Sequence, residues 1–273
     1  MMSETHVVMF SGGICSWAAA KRVVKQHGTD GVVLLFTDTL SEDEDLYRFL
    51  DEAAANVGAP LIRIADGRSL WECFRDHHAI ANNRMAFCSR ELKREMAAKW
   101  LNEHCDPEDT TLYVGFDFEE LHRWEKLQSL AGSWKYLAPM TDRPYLSRAE
   151  MIDWLRSEGI EPPRLYGLGF AHNNCGGFCV RAGQGAFIHL LKTLPCRYAE
   201  HERKEQEFRQ WLGKDVAILK HRSGPNIGKP LTLRELREKW QAGQRDIFDA
   251  FDFGGCGCMV DDILEEWETD EAE

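Results

Sequence analysis

Short apolar runs alternate with amphipathic stretches through the first 115 residues. Residues 7–10 (Val-Val-Met-Phe), 32–36 (Val-Val-Leu-Leu-Phe), 61–64 (Leu-Ile-Arg-Ile) and 112–114 (Leu-Tyr-Val) read as strands, most of them apolar on consecutive positions. A continuous apolar strand is one buried on both faces, as in a parallel sheet sandwiched by helices. Between the runs the spacing changes to helical. Residues 16–26 form one helix, closed by Gly28. Ser41 and Glu44 have the spacing of a capping box ahead of a second helix, with Leu46, Tyr47, Leu50 and Ala54 on one face; Gly58 and Pro60 end it. A third helical pattern covers 92–101. The predicted fold class is α/β, a doubly wound parallel sheet.

Beyond residue 115 prolines punctuate the chain at 139, 144, 162 and 163, and Ser147 and Glu150 offer another capping box. After about 195 the sequence is more charged: 199–212 reads as a helix rich in Glu, Arg and Lys, and Thr232 with Glu235 caps one ending near Gly243. The expected division is a nucleotide-binding domain over 1–195 and a helical C-terminal segment over 196–273, with a Cys-x-Cys and an acidic tail. There is no internal repeat.

Lys and Arg number 33 against 45 Asp and Glu, a formal charge of −12, which argues against a broad cationic face for non-specific nucleic-acid binding. No apolar run approaches the ~18 residues of a membrane span, and the opening Met-Met-Ser-Glu-Thr-His lacks the pattern of a secretory signal. The expectation is a cytoplasmic protein without a membrane partner, whose nine cysteines serve as thiols or metal ligands rather than disulfides. Assembly into a homo-oligomer is left open.

Four segments carry candidate chemistry. Ser11-Gly12-Gly13-Ile14-Cys15-Ser16 joins the first strand to the first helix. A glycine pair there lets a ligand approach the backbone, and the helix N-terminus and serine hydroxyls suit an anion. The spacing is neither that of a Walker A loop nor that of a dinucleotide fingerprint. Asp38 and Thr39 stand at the tip of the second strand, on the ligand edge of such a sheet. Cys88-Ser89-Arg90-Glu91-Leu92-Lys93 opens a helix, with Ser89 as its expected N-cap. Gly115 and Arg123 follow the fourth strand; a glycine permits close approach, and a guanidinium grips phosphate or sulfate through paired hydrogen bonds.

In this order the segments resemble the PP-loop (adenine nucleotide alpha-hydrolase-like) superfamily, and within it the phosphoadenylylsulfate (PAPS) reductase-like family, over roughly residues 5–180. The loop departs from many family members, which carry Lys-Asp where this chain has Ile14 and Cys15, so other residues must supply its positive charge. The resemblance implies an adenine nucleotide (ATP, or PAPS or adenylylsulfate, APS) held by Ser11, Gly12, Gly13, Ser16, Asp38, Thr39 and Gly115. It implies Mg²⁺ on the phosphates, with Lys93 and Arg123 among the catalytic groups. The expected reaction is adenylation of an acceptor for sulfur transfer from a sulfur donor. Thiol-dependent reduction of PAPS or APS to sulfite and a nucleotide-sensing module without turnover are the alternatives.

The remaining thiols are glycine-flanked: Cys175-Gly-Gly-Phe-Cys179 and Cys256-Gly-Cys258. Glycines let the chain curl so that sulfurs face one centre. Three readings stay open. A Zn²⁺ ion is held by these four. A [4Fe-4S] cluster is held by Cys88, Cys175, Cys179 and one of Cys256 and Cys258, as the APS-reductase positions suggest. Or Cys256 or Cys258 is a reactive thiol. His172 is a further candidate ligand, and Arg181, Lys192 and Arg197 a candidate cationic rim.

Overall fold

The computed structural model describes residues 4–244. Five parallel strands lie in the order β3-β2-β1-β4-β5. The chain enters at β1 (Thr5–Met9), crosses by α1 (Ile14–His27) to β2 (Val32–Asp38), then by α2 (Glu44–Val57) to β3 (Leu61–Ala65). It continues through α3 (Leu70–Asp76), the turn α4 (Phe87–Ser89), a π-helical stretch (Arg90–Glu95) and α5 (Met96–His104). It then returns beside β1 as β4 (Thr110–Tyr113), and α6 (Leu121–Leu130) leads to β5 (Lys135–Leu137). Val8 therefore pairs with Leu34 on one side and Tyr113 on the other. Strand order reverses between β1 and β4, the place where open α/β sheets bind ligands at their carboxyl ends.

Alternate residues of the strands feed different layers. Val8, Phe10, Leu34 and Phe36 pack under α1, α2 and α7 (Arg148–Ser157) with Trp17, Leu46, Leu50 and Met151. Val7, Leu35 and Leu112 pack under α5 with Ala97 and Leu101. Helices thus cover both faces, and the fold is a doubly wound α/β sheet. A short α8 (Arg164–Gly167) leads to α9 (Gln184–Thr193), α10 (Pro195–Leu212), the two-stranded β6 (Leu219–Lys220) and β7 (Pro230–Leu231), and α11 (Leu233–Gln241). A separate apolar cluster joins Trp71, Phe74 and Phe87 to Leu165, Phe178, Phe187, Phe208 and Leu236, taking residues from both sides of position 195. Among the described residues no helix is long and apolar enough to cross a membrane.

Two caps differ from expectation. The second helix begins at Glu44 with Asp43 as N-cap, its carboxylate accepting from the Asp45 N–H, in place of the Ser41–Glu44 box. Asp43 is held there by Arg164 and Arg197, which pull its carboxylate into the interior beside the helix end. Ser89 caps nothing: Ala86 precedes the helical turn, and Ser89 already has helical dihedrals. Burial of Phe87 in the second cluster starts the helix earlier than the hydroxyl pattern predicts. The boxes at Ser147–Glu150 and the Thr232 cap form as read.

Candidate functional site

The loop after β1 is shaped by two glycines of different purpose. Gly12 has φ +74°, and a Cβ there would run into Leu46 of α2, so only glycine fits both the turn and the packing. Gly13 is extended and serves as N-cap of α1 without a side-chain bond. The helix N-terminus therefore relies on groups from outside the helix to satisfy its N–H groups. The Ile14 N–H donates to the Tyr166 hydroxyl at 3.3 Å, Ser16 Oγ donates to the Gly13 carbonyl at 2.8 Å, and Ser11 Oγ lies 3.4 Å from Ser16 Oγ. Gly115, after β4, has a different task. A Cβ there would lie 2.6 Å from Ser16 N and 2.7 Å from Ser16 Cα, so its absence lets two backbones touch.

These segments form one wall of an open cleft of about 1100 Å³ at the carboxyl ends of β1, β2 and β4. Ser11, Gly13, Ser16, Gly115, Lys93 and Arg123 all line it. Gly12 supports the loop from behind, its carbonyl accepting from Asn173 Nδ2 at 3.3 Å. Asp38 is outside the lining; it accepts from the Tyr47 hydroxyl at 2.9 Å and the Leu40 N–H at 2.8 Å, fixing the turn after β2. Thr39 is buried and donates to Glu42 at 3.0 Å, on the wall of a different cavity.

Three cationic side chains reach the cleft: Lys93 from the π-helical stretch, Arg123 from α6 and Arg148 from α7. Arg123 pairs with Glu120 and lies 4.5 Å over the Phe116 ring, and its Nε is buried with no hydrogen-bond partner among the described residues. Asn173 Oδ1, on a side chain 4% exposed, is likewise without a partner there. A donor and an acceptor left unsatisfied on residues lining one cleft mark it as a place where a polar ligand completes the bonding. Burial, with Asp117 and Glu120 nearby, pushes the Cys15 thiol far up, so it stays protonated beside the loop.

A second, small and largely apolar cavity adjoins the first, and Lys93 lines both. Cys88, Cys175 and Cys179 line it with Thr39. Cys175, Gly176 and Gly177 all have positive φ, the tight curl that turns this segment inward. The hydrogen bond that the Cys175 thiol donates to Cys179, then burial and Glu42, hold that thiol well above its usual range, against the pull of Lys93. Glu42, buried at the junction, accepts from Thr39 Oγ1, Lys93 Nζ at 3.3 Å and the Cys175 N–H at 2.6 Å. Cys256 and Cys258 lie outside the described residues.

The cationic rim expected after the cysteines does not line the cleft. Arg197 is bound to Asp43 at 2.8 Å and to the Gly176 carbonyl, Arg181 lines the thiol cavity, and Lys192 lines neither. His172 lines the cleft and a hollow shared with Cys179, not the thiol cavity. Sequence reasoning missed Glu42, Arg148, Tyr166 and Asn173 as site residues. Glu42 is hidden in the acidic run Ser-Glu-Asp-Glu-Asp, which reads as surface.

No family model matches the chain, and no curated protein matches it. Among solved structures it is similar to a phosphoadenylyl-sulfate (PAPS) reductase from Candida auris in a phosphate complex. That match has 15% identity over 60% of this chain and 78% of the other, with a TM-score of 0.42. It is also similar to an NH3-dependent NAD synthetase from Campylobacter jejuni bound to nitrate, at 16% identity over 81% and 91% of the two chains, TM-score 0.40. At these values neither likeness carries an assignment for this chain.

Proposed function

We propose that the protein is a PP-loop, PAPS-reductase-like enzyme that binds an adenine nucleotide and uses ATP to adenylate an acceptor for sulfur transfer. One observation carries the reading. A Ser-Gly-Gly helix N-terminus, Lys93, Arg123 and Arg148 converge on a cleft at the strand-order reversal, and a thiol-lined cavity opens beside it across Lys93. The three cations supply the charge that Ile14 and Cys15 withhold from the loop. That favours a site built for a polyphosphate.

In this reading Ser11, Ser16 and the N-terminal amides of α1 cradle the pyrophosphate end of ATP. An acceptor oxygen attacks the α-phosphorus as the bond to pyrophosphate breaks, and pyrophosphate leaves with the electron pair. Lys93, Arg123 and Arg148 offset the charge that builds on it. Asp117 and Glu120 line the same cleft and are the carboxylates that would hold Mg²⁺, which would neutralise phosphate charge. A sulfur nucleophile from the donor then forms the acceptor–sulfur bond as the bond to AMP oxygen breaks.

Cys88, Cys175 and Cys179 fit a thiolate set. They line one cavity, and with a thiol from Cys256 or Cys258 they would supply the ligands for a cluster, while Cys175 and Cys179 with both of those would supply the ligands for a zinc ion. A cluster there would supply redox and sulfur chemistry beside Lys93.

The test is release of pyrophosphate and AMP from labelled ATP by the anaerobically purified full chain with Mg²⁺, a deproteinised small-molecule extract and a desalted RNA fraction. Both products are expected, and Arg123→Ala should lower them at least 100-fold. Sulfite formed from PAPS instead would move the assignment to the reductive reaction. Tight ATP binding with neither product would replace the enzyme by a sensing module.

A further inference from the structure

A second cluster of metal-ligating side chains lies apart from both cavities. Cys73 Sγ, His77 and Glu91 present one ligand atom each, all within 4.8 Å of one another, and none of the three lines the nucleotide cleft or the thiol cavity. Cys73 and His77 are four residues apart at the end of α3, so they stand on one face. Glu91 comes from the π-helical stretch, a geometry that is rare overall and frequent at functional sites.

The donor chemistry is specific. One carboxylate oxygen of Glu91 contacts His77 Nε2, and the other accepts from the Cys73 thiol at 3.5 Å. The His77 ring lies 4.3 Å from that of Phe87, which fixes its plane. Cys73 is fully buried, while His77 keeps 29% of its side chain exposed and so leaves an entry path. Tetrahedral ligands at bonds of about 2.0–2.3 Å sit roughly 3.3–3.8 Å from one another; the 3.5 Å between Cys73 and Glu91 already lies in that range, and the direct His77–Glu91 contact would lengthen to admit the ion. Arg68 reaches Glu91 at 3.2 Å, and it also binds Asp66 and Asp76, so ceding Glu91 to a cation leaves it two carboxylate partners. Arg90 also touches Glu91 at 3.2 Å and holds Glu95 as well.

We infer that Cys73, His77 and Glu91 form a binding site for a Zn²⁺-class divalent cation, a structural clip between α3 and the π-helical stretch. Sulfur, imidazole nitrogen and carboxylate oxygen are a borderline-soft set that suits zinc and disfavours magnesium and calcium. On binding, the cation takes the place of the Cys73 thiol proton, which is released to solvent; water fills the fourth position. The clip fixes the helical segment from which Lys93 reaches the cleft, yet it stands whether or not the nucleotide reading holds.

The experiment is Zn²⁺ and Co²⁺ titration of the chelator-stripped full chain, followed by metal content, visible absorption and thermal melting. One equivalent is expected to bind in a Cys175→Ser/Cys179→Ser background, with a thiolate–cobalt charge-transfer band and a raised melting temperature. His77→Asn should weaken that binding at least 100-fold and abolish the melting shift, and Glu91→Gln should weaken it at least 10-fold. Cys73→Ser should remove the charge-transfer band; should that buried substitution fail to fold, the part-exposed His77 variant still decides. Unchanged affinity and stoichiometry in His77→Asn would overturn the site, as would no binding in the background protein.

Discussion

Gly115→Ala tests the proposed phosphate seat where its geometry is tightest. The new Cβ would stand 2.6 Å from Ser16 N, 2.7 Å from Ser16 Cα and 2.9 Å from the Cys15 carbonyl carbon. All three are backbone atoms, so no rotamer change relieves the contact. Restoring ordinary van der Waals separation requires the β4 end and the start of α1 to part by roughly 0.5–0.8 Å, and overpacking of this kind costs about 1–3 kcal/mol. The amides at the start of α1 move with it. Hydrogen bonds from such donors to a charged phosphate contribute about 1.5–3 kcal/mol each, so misplacing one lowers ATP affinity at least about tenfold. Calorimetric titration with ATP, well below the melting temperature, measures the loss, and a melt measures the stability term. Gly167→Ala is the control, because its Cβ would meet nothing within 4 Å. ATP binding within twofold of the parent, at an unchanged melting temperature, would refute the close-contact argument.

Glu205 is fully buried, and burial pushes its carboxyl up to about 7 against the N–H groups of Leu233 and Ile218 that it accepts. Its folded value exceeds the unfolded one of about 4.5, so its stabilising contribution is complete below 4.5 and is lost as pH rises towards 7, in total about 3 kcal/mol. Urea unfolding across that range should fall more steeply for the parent than for Glu205→Gln, and parallel curves would sink the idea. Asp43→Asn removes the carboxylate shared by Arg164 and Arg197; because those arginines are partly solvated, the expected loss is about 2 kcal/mol by chemical denaturation. Burial pushes the Asp43 carboxyl up, but Arg164, the Asp45 N–H and Arg197 together hold it below its usual value, so its contribution is present above about pH 3.8 and disappears on acidification. Ser69→Ala deletes one half of the capping box on α3 and should cost about 1 kcal/mol, read from the melting midpoint.

The sheet was legible because β1, β2 and β4 contain apolar runs buried on both faces, while the edge strand β3 still shows Leu61, Ile62 and Ile64 around the exposed Arg63. β5 escaped notice: it is three residues long, at the sheet edge, with Lys135 and Leu137 exposed. α3 escaped as well, although Ser69 and Glu72 form its capping box, because seven residues are too few for a periodic pattern to stand out. In the cleft the glycines and serines could be read from their place between strand and helix. Arg148 and Asn173 could not, since each enters from a segment distant in the chain whose local pattern reads only as a helix start or a polar turn. The thiols at 88, 175 and 179 were grouped from their resemblance to a known pattern, and their shared cavity depends on the left-handed curl at Cys175 that no spacing rule announces.

The apolar cluster that joins Trp71, Phe74 and Phe87 to Leu165, Phe208 and Leu236 has a consequence for synthesis. During translation α3 leaves the ribosome well before α9–α11 exist to cover it, so the nascent sheet carries an oily flank while its cover is still being made. A polypeptide stopped near 195 would keep that flank permanently bare. The helical end of the protein is therefore better regarded as the second half of a clasp than as a detachable appendage, and shortening it should show first as aggregation during expression.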